Sequence, residues 1–201
     1  PYPVSSIVRP VEGDTALIKQ LLDIGTQTLL IPMVNTAEQA TELVKASYYP
    51  PRGIRGLGTS MARAAQWNRV PNYLQKANDE VCLIVQIETL EGLKNIESIA
   101  AVKGVDAVFI GPSDLSAAMG YIGDPGHSEV LAAIGRGFKI INNAGKKAGV
   151  LAVTKDLADH YINAGAHFIG VGVDAALLAN ATRKLATDFI DSTDDVESAG
   201  Y

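Results

Sequence analysis

Residues 81–121 read VCLIVQIETLEGLKNIESIAAVKGVDAVFIGPSDLSAAMGY, and this stretch decides the fold. Val81–Glu88 is apolar at most positions, and Ala107–Gly111 repeats the pattern. Short runs of this kind are what strands buried on both faces look like. Between them, Leu90–Val102 has helical length and amphipathic spacing, and Lys103-Gly104 supplies the turn that ends it. Strand, helix and second strand in that order imply a parallel pair joined by a right-handed crossover.

The alternation continues in both directions. Further strands are expected at Ser6–Arg9, Thr28–Val34, Gly149–Val153 and Phe168–Val173. Helices are expected at Thr15–Ile24, Ala37–Ser47, Ser128–Ala144, Lys155–Ala164 and Ala175–Ile190. No G-x-G-x-x-G follows a strand, so a dinucleotide-binding sheet is not supported. About six βα units are present, where a closed (β/α)8 barrel has eight. The first strand enters with no helix before it and ends in Arg9-Pro10, as though already feeding a site. The expectation is therefore a single α/β domain over residues 1–201: a TIM barrel lacking roughly its first two βα units, about sixty residues at ~30 per unit. A complete, open six-unit sheet is the alternative. One connection is unusually long, from Tyr48 to Glu80, and contains Pro50-Pro51-Arg52-Gly53-Ile54-Arg55-Gly56-Leu57-Gly58. It reads either as a functional loop or as a proline-stiffened excursion ending in a helix over Pro71–Asn78.

Composition narrows the function classes. A hydrophobic share of 47% against 19% charged residues indicates a globular rather than a disordered chain. A net charge of −5 leaves no basic footprint for nucleic acid. No apolar run approaches the ~18 residues of a membrane span, and PYPVSSIVRP lacks the regions of a signal peptide. The lone Cys82 cannot form an internal disulfide and reads as a small buried hydrophobe in a reducing cytoplasm.

In barrels of this type the C-terminal strand ends carry the chemistry. Those ends hold Arg9-Pro10, Gln86-Ile87-Glu88-Thr89, Gly111-Pro112-Ser113-Asp114 and Gly172-Val173-Asp174. Gln86 and Glu88 are two apart and share one strand face. A carboxylate in such an apolar run needs a cation or metal as neighbour. Asp114 follows the next strand, so it and Glu88 can converge at one rim. Two carboxylates with open positions suit Mg²⁺ or Mn²⁺ better than zinc. The plainer reading makes Asp114 the N-cap of a helix over Leu115–Met119 and Glu88 a carboxylate at a helix N-terminus. Arg9 offers a planar cationic fork for carboxylate or enolate oxygens, or a salt bridge within the barrel. Asp174 reads as an N-cap. None of His127, His160 or His167 falls at a strand C-terminus, so no general base is evident.

The motifs VRPVEGD (8–14), TLLIPMV (28–34), YYPPRGIRGLG (48–58), WNRVPNYLQKAN (67–78), VQIET (85–89), FIGPSDLSAAMGY (109–121) and VGVD (171–174) together resemble the HpcH/HpaI aldolases. The resemblance runs from the first residues to the last helix. It implies a class II, metal-dependent pyruvate aldolase of the cytoplasm that cleaves a 4-hydroxy-2-oxo acid to pyruvate and an aldehyde. The heptanedioate substrate of aromatic-compound catabolism, which yields succinate semialdehyde, fits the motifs best. By resemblance Glu88 and Asp114 are the ligands of Mg²⁺, Mn²⁺ or Co²⁺. Gln86 and the backbone around Ser113 contact the pyruvate portion, and Arg9 stabilises the enolate. Asp23 orients a catalytic histidine, and Leu151 lines the aldehyde pocket. That histidine belongs to a D-G-E-H stretch found nowhere in these 201 residues. The resemblance also implies a homohexamer, a trimer of dimers, with 175–190 as a swapped helix. Three alternatives stay open: a 2-dehydro-3-deoxyglucarate-type aldolase of the same family, a Schiff-base enzyme using Lys155, and a non-catalytic barrel.

Overall fold

The structure, a computed structural model, describes residues 2–189. Its six strands are β1 (Ile7–Val8), β2 (Thr28–Ile31), β3 (Cys82–Ile87), β4 (Ala107–Ile110), β5 (Lys147–Leu151) and β6 (Phe168–Gly170). They form one sheet in sequence order, with every neighbouring pair parallel. Helices α1 (Thr15–Asp23), α2 (Ala37–Ser47), α3 (Tyr73–Glu80), α4 (Leu90–Lys94), α5 (Ile96–Ala100), α6 (Pro112–Ala118), α7 (Ser128–Asn143), α8 (Lys155–Ala164) and α9 (Asp174–Thr187) fill the connections. Among the described residues the sheet is a curled half-barrel with β1 and β6 at its two edges.

Period-two alternation separates the faces of this sheet. Leu29, Ile31, Leu83, Val85, Ile87, Val108, Ile110 and Val150 are fully buried in the main core, which they share with Ile18, Leu22, Ile99, Ile134 and Phe138 of the helices. The opposite, concave face is built from Leu30, Cys82, Phe109, Leu151 and Phe168, all only partly buried. Cys82 is therefore a half-buried residue of the concave face rather than a core hydrophobe, and burial pushes its thiol pKa up. Gln86, Phe109, Gly149 and Phe168 lie in one register row. A Cβ at Gly149 would sit 2.1 Å from the Phe168 ring. The glycine is what lets that ring lie across the strand.

Several strands are shorter than their apolar runs suggest. β2 stops at Ile31 because Pro32 lacks an N–H and Met33 turns to φ 58°. The span Leu90–Val102 is two helices rather than one. Asn95 breaks it, with its side-chain amide donating to the Asn35 carbonyl at 2.8 Å. The proline-rich connection carries a 3-10 turn at Arg63–Ala65 before α3, which begins two residues later than expected. It also buries Arg55, only 2% exposed, against the Asp23 carboxylate at 2.9 Å, with the Tyr73 hydroxyl and the Tyr49 ring around it. That connection is a structural strap as well as an excursion. No residue of α9 is buried, and Ile190, the last residue of the helix expected there, lies outside the described residues. No helix among the described residues is long and apolar enough to cross a membrane.

Candidate active site

Strand β3 delivers Gln86 and, one residue past its end, Glu88 to the same side of the sheet. Both are buried, at 6% and 2% exposure. Arg9, just past β1, donates from Nε to Gln86 Oε1 at 3.1 Å, and Gln86 Nε2 donates in turn to Glu88 Oε2. The other oxygen of that carboxylate, Oε1, accepts the Met33 backbone N–H at 3.0 Å. A side chain read as an isolated acid is thus one end of an Arg9–Gln86–Glu88 chain that joins the tips of β1 and β3.

Asp114 reaches the same place from β4. Helix α6 begins at Pro112 with Gly111 as its N-cap, so Asp114 lies in the first helical turn and is not the cap. Its carboxylate comes within hydrogen-bonding reach of Glu88. Burial is the largest influence raising the Glu88 pKa, the Met33 N–H opposes it, and Asp114 adds to the rise while Arg9 counters. A buried carboxylate beside a second one is disfavoured in its charged form, and a cation at the pair would offset that. Each Glu88 oxygen has one protein donor and two acceptor directions, so each keeps one free. Among the described residues no three His, Cys, Asp or Glu side chains converge. This donor set fits a hard divalent ion whose remaining positions go to water or ligand oxygens.

The other expected residues are distributed as follows. Ser113 is exposed in the first turn of α6, and its carbonyl accepts from the Ser116 hydroxyl at 2.8 Å. Leu151 closes β5 half-buried on the concave face, in register with Gly170. Asp23 is not brought to this cluster within one chain. It ends α1 beside the strand N-termini, where its partner is Arg55. Asp174 is the first residue of α9, capped by Val173, and accepts from the Ala175 N–H. His127 caps α7 and stacks on Tyr121, while His160 packs edge-on to Tyr161. Lys155 is 83% exposed and paired with Asp159 on α8, unlike the desolvated lysine that Schiff-base chemistry requires.

The chain has known relatives. The sequence profile described as HpcH/HpaI aldolase/citrate lyase matches residues 1–181. The chain belongs to that family. It is 57% identical to the hydroxypyruvate/pyruvate aldolase of Pseudomonas aeruginosa, over 94% of this chain and 70% of that protein. It is 56% identical to the 4-hydroxy-2-oxo-heptane-1,7-dioate aldolase of Shigella sonnei, over 94% of this chain and 72% of that one. Among solved structures, an HpcH/HpaI aldolase/citrate lyase family protein from Burkholderia cenocepacia superposes with a TM-score of 0.85. It is 36% identical, covering 90% of this chain and 72% of that one.

Two parts of this candidate site were not read from sequence. The Met33 N–H is one, because a backbone donor leaves no mark in residue type. Gly111 is the other. A Cβ there would lie 2.8 Å from both Gln86 Nε2 and Glu88 Oε2. The glycine immediately before Pro112-Ser113-Asp114 was a visible signal, read only as the end of a strand. Gly111→Ala should therefore displace the Gln86–Glu88 pair and lower kcat/KM at least about tenfold while Tm falls by only a few degrees, since overpacking of one methyl costs ~1–3 kcal/mol. Steady-state kinetics beside a thermal melt would check this. Unchanged kinetics would mean the pair has slack that the geometry does not show.

Proposed function

We propose that this protein is a class II pyruvate aldolase, a carbon–carbon lyase that uses a divalent cation held by Glu88 and Asp114. The observation that carries the reading is the convergence of a buried carboxylate and a second one at a rim where Arg9 also ends. The names of relatives at 56–57% identity support it. Both names share a 2-oxo acid, and 4-hydroxy-2-oxoheptanedioate, cleaved to pyruvate and succinate semialdehyde, is the substrate we put first.

The cation, when bound, supplies Lewis acidity at the 2-oxo oxygen. The chain's own residues do the rest. Loss of the 4-hydroxyl proton and scission of the C3–C4 bond release the aldehyde and leave the electron pair as the enolate of pyruvate. Arg9 stabilises the charge that grows on the enolate oxygen, in a site whose floor, Gln86 and Glu88, is dry. Gln86 keeps the guanidinium from swinging away, and its amide contacts the pyruvate portion together with the backbone at Ser113. Leu151 gives the aldehyde an apolar wall. The enolate then takes a proton at C3 to give pyruvate. The proton acceptor implied by the family resemblance is a histidine of a D-G-E-H stretch that residues 1–201 do not contain; Asp23, held by Arg55 away from the cluster, would orient such a histidine only from a second copy of the chain.

We place these residues in a (β/α)8 barrel whose remaining two units lie outside the chain described. The half-buried concave face, with Leu30, Phe109 and Phe168, supports that placement. We also propose a single barrel domain whose α9 packs on a second copy in a homohexamer. The fully unburied α9 supports this, with Leu177 at 65% and Leu178 at 67% exposure. A cytoplasmic setting, with which the lone thiol accords, and a role in the breakdown of aromatic compounds complete the proposal.

Chelation tests the function directly. Treating the whole protein with EDTA should abolish pyruvate release from 4-hydroxy-2-oxoheptanedioate, read by coupled lactate dehydrogenase, and Mg²⁺, Mn²⁺ or Co²⁺ should restore it. Activity that survives chelation, together with borohydride trapping of pyruvate on a lysine, would instead mark a Schiff-base enzyme.

A further inference from the structure

We infer that the turn Pro32–Met33–Val34 is a positioning device for the cation site, in which Met33 serves through its backbone N–H rather than its side chain. The inference rests on the metal-dependent reading of Glu88. Met33 has φ 58°, in the left-handed region that a non-glycine residue seldom adopts without a reason. Its side chain is 52% exposed, so packing of the thioether does not account for that conformation. What the conformation achieves is directional. It turns the Met33 N–H onto Glu88 Oε1 at 3.0 Å, while the next N–H, that of Val34, bonds the Gln86 carbonyl at 3.0 Å. One turn from β2 therefore grips both polar residues at the end of β3.

The turn is held on its far side by contacts that leave it little alternative. Val34 is buried, and its carbonyl abuts Gly92, where a Cβ would come within 2.8 Å. The Asn35 carbonyl accepts from Asn95 Nδ2, and the Asn35 side chain accepts from the Thr89 hydroxyl. Thr36 and Gln39 then close a capping box on α2. Residues 34–36 are thus fixed by α2, α4 and α5, and the strain falls on Met33. Its N–H and the Gln86 amide hold the two Glu88 oxygens from opposite sides, so the carboxylate cannot rotate when a cation binds or leaves. Pre-orienting a ligand in this way lowers the cost of binding.

The test is Mn²⁺ affinity of the whole protein, measured by electron paramagnetic resonance and by calorimetry. An ester in place of the Pro32–Met33 peptide bond deletes only the N–H and should weaken Mn²⁺ about tenfold or more, as for a lost bond to a charged group. Met33→Gly and Met33→Ala, which keep the N–H and do not add branching at φ > 0, should stay within about twofold. Met33→Val, strained in that region, should approach the ester if it folds; if it does not, the ester and the Ala variant decide the matter. Parent-like affinity in the ester protein would overturn the inference while leaving the aldolase reading intact, and a tenfold loss in Met33→Ala would assign the role to the thioether instead. Absence of any Mn²⁺ binding in the parent would remove the metal reading itself and this inference with it.

Discussion

Arg9→Ala is expected to lower kcat for aldol cleavage by about 10²–10³-fold, or roughly 3–4 kcal/mol of transition-state stabilisation, with Mn²⁺ affinity essentially unchanged. Charge appears on the 2-oxo oxygen only as the C3–C4 bond breaks, so a cation aimed there lowers the barrier more than it tightens substrate binding. Arg9 is equipped for this, since among the described residues only its Nε is committed, to Gln86 Oε1 at 3.1 Å. The remaining N–H groups of the fork are free to face a ligand. Gln86, relieved of its guanidinium, keeps its bond to Glu88, so the carboxylate stays in place. Arg9→Lys should recover little, because an ammonium is a point charge without the planar fork. Stopped-flow or coupled kinetics beside a metal titration would separate the two effects. Near-normal turnover in Arg9→Ala would remove the enolate role.

Glu88→Gln should be more severe, with Mn²⁺ affinity falling by at least about 10²-fold and turnover becoming undetectable. On the proposed reading the change removes one of the two carboxylates that hold the ion, and hard divalent ions depend on anionic oxygen. It also creates a local conflict. Both Glu88 oxygens accept from donors, Met33 N–H on one side and Gln86 Nε2 on the other. A carboxamide must turn its NH2 toward one of them, donor against donor, at a cost of ~1–3 kcal/mol for the unpaired group. The side chain keeps its volume in a site 2% exposed, so circular dichroism should report a native fold. A folded Glu88→Gln protein with parental activity would show that this carboxylate is structural.

How far the fold and site could be read in advance depended on the scale of each feature. The parallel alternation was legible because apolar runs such as Leu83–Val85 and Val108–Ile110 carry their burial in their composition. The adjacency of β3 and β4, from which Glu88 and Asp114 were expected at one rim, was legible in the order of the strands, and the β3–β4 register bears that adjacency out. What escaped lies between residues rather than in them. Asn95 splits a continuous amphipathic pattern by bonding a backbone carbonyl sixty residues away. Nothing around Arg55 in its glycine-rich loop marks it for burial, yet it is among the most buried side chains because Asp23, thirty-two residues earlier, meets it. The turn at Met33 was hidden inside an apolar stretch that read as strand to its end.

Equilibrium binding of Mn²⁺ to the whole protein and to its Glu88→Gln and Asp114→Asn variants tests the central claim most directly. One ion per chain in the parent, lost or weakened by at least about 10²-fold in each variant, is the predicted result. Undiminished binding in either variant, or a parent that releases pyruvate while holding no divalent ion, would contradict it.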